Sequence, residues 1–317
     1  MEAVRPDVAV VGSMNFDLTL RTPRFPRPGD SVAATGSHAG AGGKGLNQAL
    51  AAARQGAVTA LVGCVGTDAP GDVMIAELVA GGVDVDAVTR LADVASGMAA
   101  VMVTDDGENS IVVALGANAR LTGDDVHRHG RVIGDAKVLL VQLEVPPDAV
   151  QAALEIARGT ATLAILNAAP PRPVEDDVLR LADLVVVKEI EAATLSGADA
   201  PDGSDAEWAS HAAETLVRRG CPAVVVTVGA RGAWFADGKR RLYLPAHAVD
   251  AVDTTGAGDA FCGTLAAGLA AGRSMPDALV RASAAGALTA TRPGTAPALP
   301  TALEVDELLS LPDPDFR

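Results

Sequence analysis

Aromatic residues are scarce in this 317-residue chain: two Trp, one Tyr and five Phe make up 3% of it. Ala and Val must therefore carry the core, which suits helices packed closely on a parallel sheet. Basic residues are also short, with 25 Lys and Arg against 40 Asp and Glu and a formal net charge of −15. No run of four Lys or Arg occurs, so neither nucleic acid nor an anionic membrane surface is an expected partner. No apolar stretch reaches the roughly 18 charge-free residues that span a bilayer. The best candidate, residues 260–272, is short and Gly-rich. The opening MEAVRPDVAVVGS has an early acidic residue and a very short apolar run, unlike a secretory signal, and a cytoplasmic chain is expected. Three cysteines, Cys64, Cys221 and Cys262, have no metal or redox spacing and read as reduced thiols packed in a core.

What is present is a globular composition. Hydrophobic residues make up 49% and charged residues 21%, enough for one large domain or two unequal ones. Apolar β-branched runs recur: DVAVVG (7–12), VTALVGCVG (58–66), KVLLVQLE (137–144), ATLAILN (161–167), DLVVVK (183–188) and AVVVTVG (223–229). These read as buried strands. Helical patterns lie between them at 45–55, 71–81, 147–158 and 206–219. The alternation predicts a doubly wound, mostly parallel α/β sheet. FDLTLRT (16–22), SVAATGSHAG (31–40) and GMAAVMVTDDGENSIVVAL (97–115) break that rhythm with period-2 patterns, the last turning at DDGEN. They predict a small antiparallel β lid, with inserted segments at about 15–40 and 97–115 of a single domain over residues 1–317. Residues 256–309 read as helical around the rigid loop RPGTAPALP (292–300), and DAPDGSD (199–205) reads as a polar surface loop.

Four motifs carry chemistry. In AVDTTGAGDAFCGT (251–264), Gly256 and Gly258 stand at a helix start just before Asp259. Cβ-poor backbone there can aim N–H groups at an anion, yet Asp259 would repel one. GAGGKG (40–45) formally matches G-x-G-x-x-G, but it follows the polar TGSH and not a buried first strand, and Lys44 is followed by Gly45. It fits neither a dinucleotide fingerprint nor a P-loop well. It is either a turn opening a helix or, with Lys44 and Asn47, a patch for a polyhydroxylated ligand. GSMNFD (12–17) places Asn15 and Asp17 at the C-terminal end of the first strand, on one side if extended. They could bind vicinal hydroxyls or form a turn pair. Glu144 closes a buried strand as a ligand contact or a structural acceptor. VTVGARG (226–232) ends a strand in a Gly-x-x-Gly turn that a nucleotide could approach.

DTTGAGDAF closely resembles the C-terminal signature of the ribokinase (PfkB-type) family of sugar kinases, and GGKGLNQA (42–49) resembles its N-terminal one. GSMNFD and VTVGARG fall, in order and spacing, where that family has its substrate strand and nucleotide turn. QLE (142–144) and GENSIVV (107–113) are similar to its ribokinase branch. The resemblance covers essentially the whole chain. It implies Mg²⁺-dependent transfer from ATP to the 5-hydroxyl of D-ribose, the alternative being a nucleoside, deoxyribose or another sugar. A dehydrogenase or a catalytically dead sugar-binding protein would belong to other classes. The resemblance also answers the puzzle of Asp259. Backbone N–H groups of Gly256, Ala257 and Gly258 would serve the phosphate, and Asp259 would serve the acceptor hydroxyl. Asn15, Asp17, Gly43, Lys44, Asn47 and Glu144 would bind the sugar, with Ala99, Val101 and Ile111 covering its apolar face. Thr227, Gly229, Gly232 and Gly258 would line the nucleotide site, with Ser283 near the base. Glu191 would hold Mg²⁺ through water. Asp253 and the carbonyls of Thr255, Thr289, Arg292 and Gly294 would bind K⁺. Two positions depart from the family pattern. Its usual Asn-x-x-Glu reads Lys188-Glu189-Ile190-Glu191, and Ala298 replaces a frequent serine in the cation loop. Lys188 could pair with Glu191 or meet a phosphate. A homodimer through the lid sheets is implied.

Overall fold

The computed structural model describes residues 5–106, 108–197 and 206–311. The strands are β1 (Val8–Val11), β2 (Asn15–Thr22), β3 (Gly36–Gly42), β4 (Thr59–Gly66), β5 (Val83–Asp84), β6 (Val88–Leu91) and β7 (Gly97–Thr104). They continue with β8 (Asn109–Ala114), β9 (Val138–Gln142), β10 (Leu163–Asn167), β11 (Leu184–Lys188), β12 (Val224–Thr227), β13 (Ala233–Ala236) and β14 (Arg241–Leu244). The helices are α1 (Lys44–Arg54), α2 (Ala69–Ala80), α3 (Gly123–Arg128), α4 (Gly130–Gly134), α5 (Pro147–Arg158) and α6 (Asp176–Leu179). After them come α7 (Glu189–Ser196), α8 (Ala206–Arg218), α9 (Ala257–Ala270), α10 (Met275–Ala290) and α11 (Ala302–Ser310). The loop expected at 199–205 and Gly107 of the DDGEN turn lie outside the described residues.

The apolar runs form the large sheet in the order β14-β13-β12-β11-β10-β9-β1-β4-β5, with β6 beside β4. From β12 to β5 the pairs are parallel. Such strands are apolar on both faces because both are covered. Val8, Val10, Leu61, Leu140 and Ile165 pack with α1, α2, α9 and α10. Ala9, Val11, Val62, Leu139 and Leu166 pack with α5, α7 and α8. The doubly wound sheet expected from the alternation is therefore present. β13 and β14 add an antiparallel edge that short, partly polar segments did not announce.

The second sheet runs β3-β2-β7-β8. The pairs β2–β3 and β7–β8 are antiparallel, as their period-2 patterns predict. The seam between them, β2–β7, is parallel; alternation fixes which residues share a face but not strand direction. The second of the first two segments, expected from Ser31, forms a strand only from Gly36. Cys64, Cys221 and Cys262 are buried free thiols.

The chain lays β4 on one side of β1, then returns to place β9 on the other. That reversal of strand order opens a crevice beyond the C-terminal ends of β1 and β9. The small sheet leaves β1 at this point and stands over the crevice.

Candidate active site

A cavity of about 350 Å³ occupies the crevice and is walled by both sheets. Its lining contains Asn15, Asp17, Gly43, Lys44, Asn47, Glu144, Lys188, Thr227, Thr255, Gly256, Gly258 and Asp259. Ala99, Val101 and Ile111 reach it from β7 and β8. On β2, Asp17 stands opposite Ala99, and Thr19 opposite Val101, so one face of the small sheet presents these residues together. Ala257, Glu191, Gly229, Gly232, Ser283, Asp253, Thr289, Arg292 and Gly294 do not form part of the wall among the described residues. Gly232 has a local reason for being glycine: its φ is +85°, and a Cβ would fall 1.9 Å from the Leu244 carbonyl of β14.

Helix α1 begins at the end of the cavity next to β2. Gly43, at φ +92°, brings its backbone so close to β2 that a Cβ would lie 2.6 Å from the Asn15 nitrogen. The first N–H groups of the helix are all used within the protein. Lys44 N–H donates to the Glu144 carboxylate at 3.3 Å, and Gly45 N–H reaches the Ser13 hydroxyl at 3.5 Å. Leu46 N–H meets the Ser13 carbonyl and Asn47 N–H the Gly43 carbonyl. The Ser13 hydroxyl in turn donates to Glu144 at 2.5 Å, which ties the ends of β1 and β9 together across the crevice.

Helix α9 begins differently. Gly256 takes the left-handed conformation, φ +79°, and no side chain caps the helix. Ala257 N–H, expected among the phosphate donors, turns back to the Thr254 carbonyl at 3.3 Å. The N–H groups of Gly256, Gly258 and Asp259 have no partner among the described residues, so Gly256 and Gly258 face the cavity as open donors at the positive end of a helix. The Asp259 side chain points the other way, toward α1. Its Oδ2 accepts from Asn47 Nδ2 at 3.1 Å, and its Oδ1 from Gln48 Nε2 at 2.9 Å. Gln48 also accepts from Gln142 Nε2 at 2.6 Å and donates to Asn167 Oδ1 at 2.9 Å. Asn47 is legible as a site residue in GGKGLNQA, whereas Gln48, its neighbour in the same motif, carries no signal of its own.

The α1 end of the cavity concentrates charge. Burial pushes the Asp17 carboxyl up to about 7, with the Glu144 and Asp259 carboxylates adding to the shift. Lys44 experiences the reverse balance: burial disfavours its charge, but Asp259, Glu144 and Glu191 outweigh it and hold the ammonium above its usual range. Asn15 is buried, and its Oδ1 accepts from Asn118 Nδ2 at 2.8 Å. Asn118, another residue the sequence did not flag, also accepts from Met14 N–H and donates to the Met14 carbonyl. With its oxygen occupied, Asn15 offers its amide nitrogen to a ligand.

At the opposite end, the Gly258 Cβ position lies 3.3 Å from Lys188 Cε and 3.9 Å from its Nζ. The ammonium therefore stands over the open start of α9. Glu191 is buried and accepts from the Lys188 backbone N–H at 2.8 Å, capping α7. Behind α9, Asp253 accepts from Thr255 N–H at 2.9 Å and Gly294 N–H at 3.1 Å. Burial raises its carboxyl, but these hydrogen bonds prevail and hold it below the usual carboxylate range. Asp253 thereby staples the 253–255 and 291–298 loops together. Arg292 sends its side chain to Glu304 and its N–H to the Thr289 carbonyl.

Comparison with known proteins agrees with this geometry. A family model described as pfkB family carbohydrate kinase matches residues 5–302. The ribokinase of Haemophilus influenzae is 34% identical over 307 residues, 96% of this chain and 99% of that protein. The deoxyribokinase of Salmonella typhi is 32% identical over 308 residues, 96% and 99% of the two chains. The structure of Arabidopsis thaliana ribokinase complexed with ribose and ATP matches with a TM-score of 0.87 and 29% identity, covering 97% of this chain and all of that one. A carboxylate pinned beside an open helix start, in a match that spans both sheets, has one consistent explanation: the chain belongs to the pfkB family of carbohydrate kinases.

Proposed function

We propose that this kinase transfers the γ-phosphoryl group of ATP to the 5-hydroxyl of D-ribose. The observation that carries the reading is Asp259, an anionic acceptor held by two amides beside the open N–H groups of Gly256 and Gly258. A ribose whose hydroxyls meet Asn15, Asp17, Lys44 and Glu144 brings its 5-hydroxyl to Asp259. The hydroxyl oxygen attacks the γ-phosphorus, the bond to the bridging oxygen breaks, and the proton passes to Asp259. The transition state is loose, so alignment and late proton acceptance suffice. Gly256, Gly258 and Lys188 hold the charge that gathers on the phosphoryl oxygens. Thr227 lines the nucleotide side, with Gly229, Gly232 and Ser283 placed farther out.

Mg²⁺, when bound with the nucleotide, supplies neutralising charge for the phosphates. Glu191 fits an indirect role in that, since it is buried and already caps α7. The Asp253 loops fit K⁺: a carboxylate kept ionised by hydrogen bonds joins two irregular loops rich in backbone oxygens. We further read the small sheet as a lid on a single catalytic domain. Its β7 and β8 leave Met98 and Val112 42% and 65% exposed, a surface suited to a second copy of the chain. Among the described residues no helix is long and apolar enough to cross a membrane, in keeping with a cytoplasmic enzyme.

The relative named deoxyribokinase supports a second reading, 2-deoxyribose as acceptor. Asn15 and Asp17 favour ribose, because a site built to bond a hydroxyl is penalised when the hydroxyl is absent. The test is ADP release with ribose, 2-deoxyribose and a nucleoside panel. Ribose should give the highest kcat/KM; equal values for the two pentoses would sink the ribose assignment, and a faster nucleoside would replace it.

A further inference from the structure

Asp259 does not hold its own orientation. Both of its contacts come from adjacent residues of α1, and the second, Gln48, is wholly buried. The direction of every hydrogen bond around Gln48 is determined. A carboxylate can only accept, so the Gln48 amide must turn its NH₂ toward Asp259. The second hydrogen of that NH₂ goes to Asn167 Oδ1. Asn167 is oriented by its own Nδ2, which donates to the Val186 carbonyl of β11 at 3.1 Å. The remaining Gln48 atom, Oε1, receives Gln142 Nε2 from the end of β9. Gln142 of β9 and Asn167 of β10 thus hold the Gln48 amide, which alone of the three meets Asp259 Oδ1, and no alternative rotation of that amide satisfies all three partners.

We propose that Gln48, locked by Gln142 and Asn167, is the positioning residue that aims the Asp259 carboxylate at the acceptor hydroxyl. The inference rests on the kinase reading above and deepens it. Amides suit the task better than cations. An arginine or lysine at this place would neutralise Asp259 as an ion pair, whereas a neutral donor fixes its direction and leaves it an anion. Each carboxylate oxygen accepts one amide and keeps a lone pair for the incoming hydroxyl. The wall is also high-stakes, because a buried amide network that loses one member leaves the others unpaired. Around Asp259 the charged and titratable groups are Lys44 on α1, Asp17 on β2, Glu144 beyond β9, Lys188 ending β11, Glu191 on α7 and Cys262 on α9. None of them makes the hydrogen bond that Gln48 makes.

Gln48→Glu keeps the shape and replaces the donor with a second carboxylate. Two carboxylates in contact resist joint ionisation. The expected result is a kcat reduced about 10²-fold at pH 7, with the ribose Kd from calorimetry within threefold of wild type. The acidic limb of the kcat–pH profile should move to higher pH by about one unit. Gln142→Met leaves Asp259 untouched and frees Gln48 to rotate, so kcat should fall about tenfold with ribose Kd held. A Gln48→Glu enzyme that binds ribose normally with an unmoved acidic limb overturns the proposal. So does a loss confined to ribose affinity. If Gln48→Glu does not fold, Gln142→Met decides: an unchanged kcat rejects the positioning role. Failure of the kinase reading itself is seen in the wild type, as an absence of ADP release with every sugar; failure of this inference is seen only in the variants.

Discussion

Helix α1 follows Gly40-Ala41-Gly42-Gly43, and helix α9 follows Thr254-Thr255-Gly256. Both starts are Gly-rich, and their N–H groups meet different partners. At α1 the donors are consumed by Ser13, Gly43 and Glu144. At α9 the donors of Gly256 and Gly258 remain open to the cavity. The glycines of α1 let backbone approach backbone, and the glycines of α9 let backbone approach a ligand. A glycine pattern alone does not separate these uses; what decides is whether the protein supplies its own acceptor. Glu144 fills that place at α1. At α9 the nearby carboxylate, Asp259, is drawn away by Asn47 and Gln48, which leaves the helix start free for an external anion.

Removing the charge that makes the two starts cooperate is the severest test. Asp259→Asn should retain ribose and MgATP binding but lose roughly 10²–10⁴ in kcat, the range for a positioned acid–base group. Turnover within a few fold of wild type would remove Asp259 from the chemistry and leave α9 as a binding element only.

Lys188 sharpens the contrast from the α9 end of the cavity, since its ammonium lies beside Gly258 and its backbone, not its side chain, meets Glu191. Lys188→Asn should raise the KM for MgATP or lower kcat about tenfold, the size of a charge-assisted hydrogen bond, with ribose affinity unchanged. An effect confined to ribose would put Lys188 on the α1 side of the cleft.

Much of this arrangement is legible in the sequence, for physical reasons. β1, β4, β9, β10 and β11 are buried on both faces, so they are written as apolar runs. Alternation puts Ala99, Val101 and Ile111 on one face of the small sheet, but only the family resemblance singles them out. The parts that escape notice are those made by convergence. Gln48 looks like any polar residue on a helix until β9 and β10 bring Gln142 and Asn167 to it. Asn118 comes from a short turn after β8, yet it secures Asn15 more than 100 residues away. The family resemblance implies a phosphate donor at Ala257, whose N–H instead closes a turn on Thr254, a difference that only backbone geometry reveals. The edge strands β13 and β14, four residues each, are too short to stand out.

The self-satisfied side of the cleft has its own signature in pH. Asp17 titrates near 7 in the folded protein against 3.8 for the free side chain. Between these values the folded state holds a proton that the unfolded state has released. Stability therefore falls as pH rises from about 4 to 7, and the full penalty applies above 7. Asp17→Asn removes the penalty while weakening ribose binding. Its melting temperature should exceed that of wild type by about 5–10 °C at pH 8 and match it near pH 4. A gain that is the same at both pH values would mean that the Asp17 charge is not the cause.

The smallest expected effect concerns the loops behind α9, where Asp253 binds Thr255 and Gly294. Ala298 lies in the same loop and is 1% exposed. Ala298→Ser adds a buried hydroxyl, and its fate depends on what is there to meet it. With K⁺ in the site, the oxygen becomes one more hard ligand, and the activation constant for K⁺ should fall a few fold. Without K⁺, the hydroxyl is buried and unpaired, which costs about 1–3 kcal/mol. The melting temperature of the serine variant should then drop in K⁺-free buffer and recover on adding KCl, because a ligand that binds only the folded state stabilises it by mass action. NaCl at equal ionic strength controls for screening. If the activation constant is unchanged and the melting temperature ignores K⁺, residue 298 points away from the cation, and the loops stapled by Asp253 serve only to brace the open start of α9.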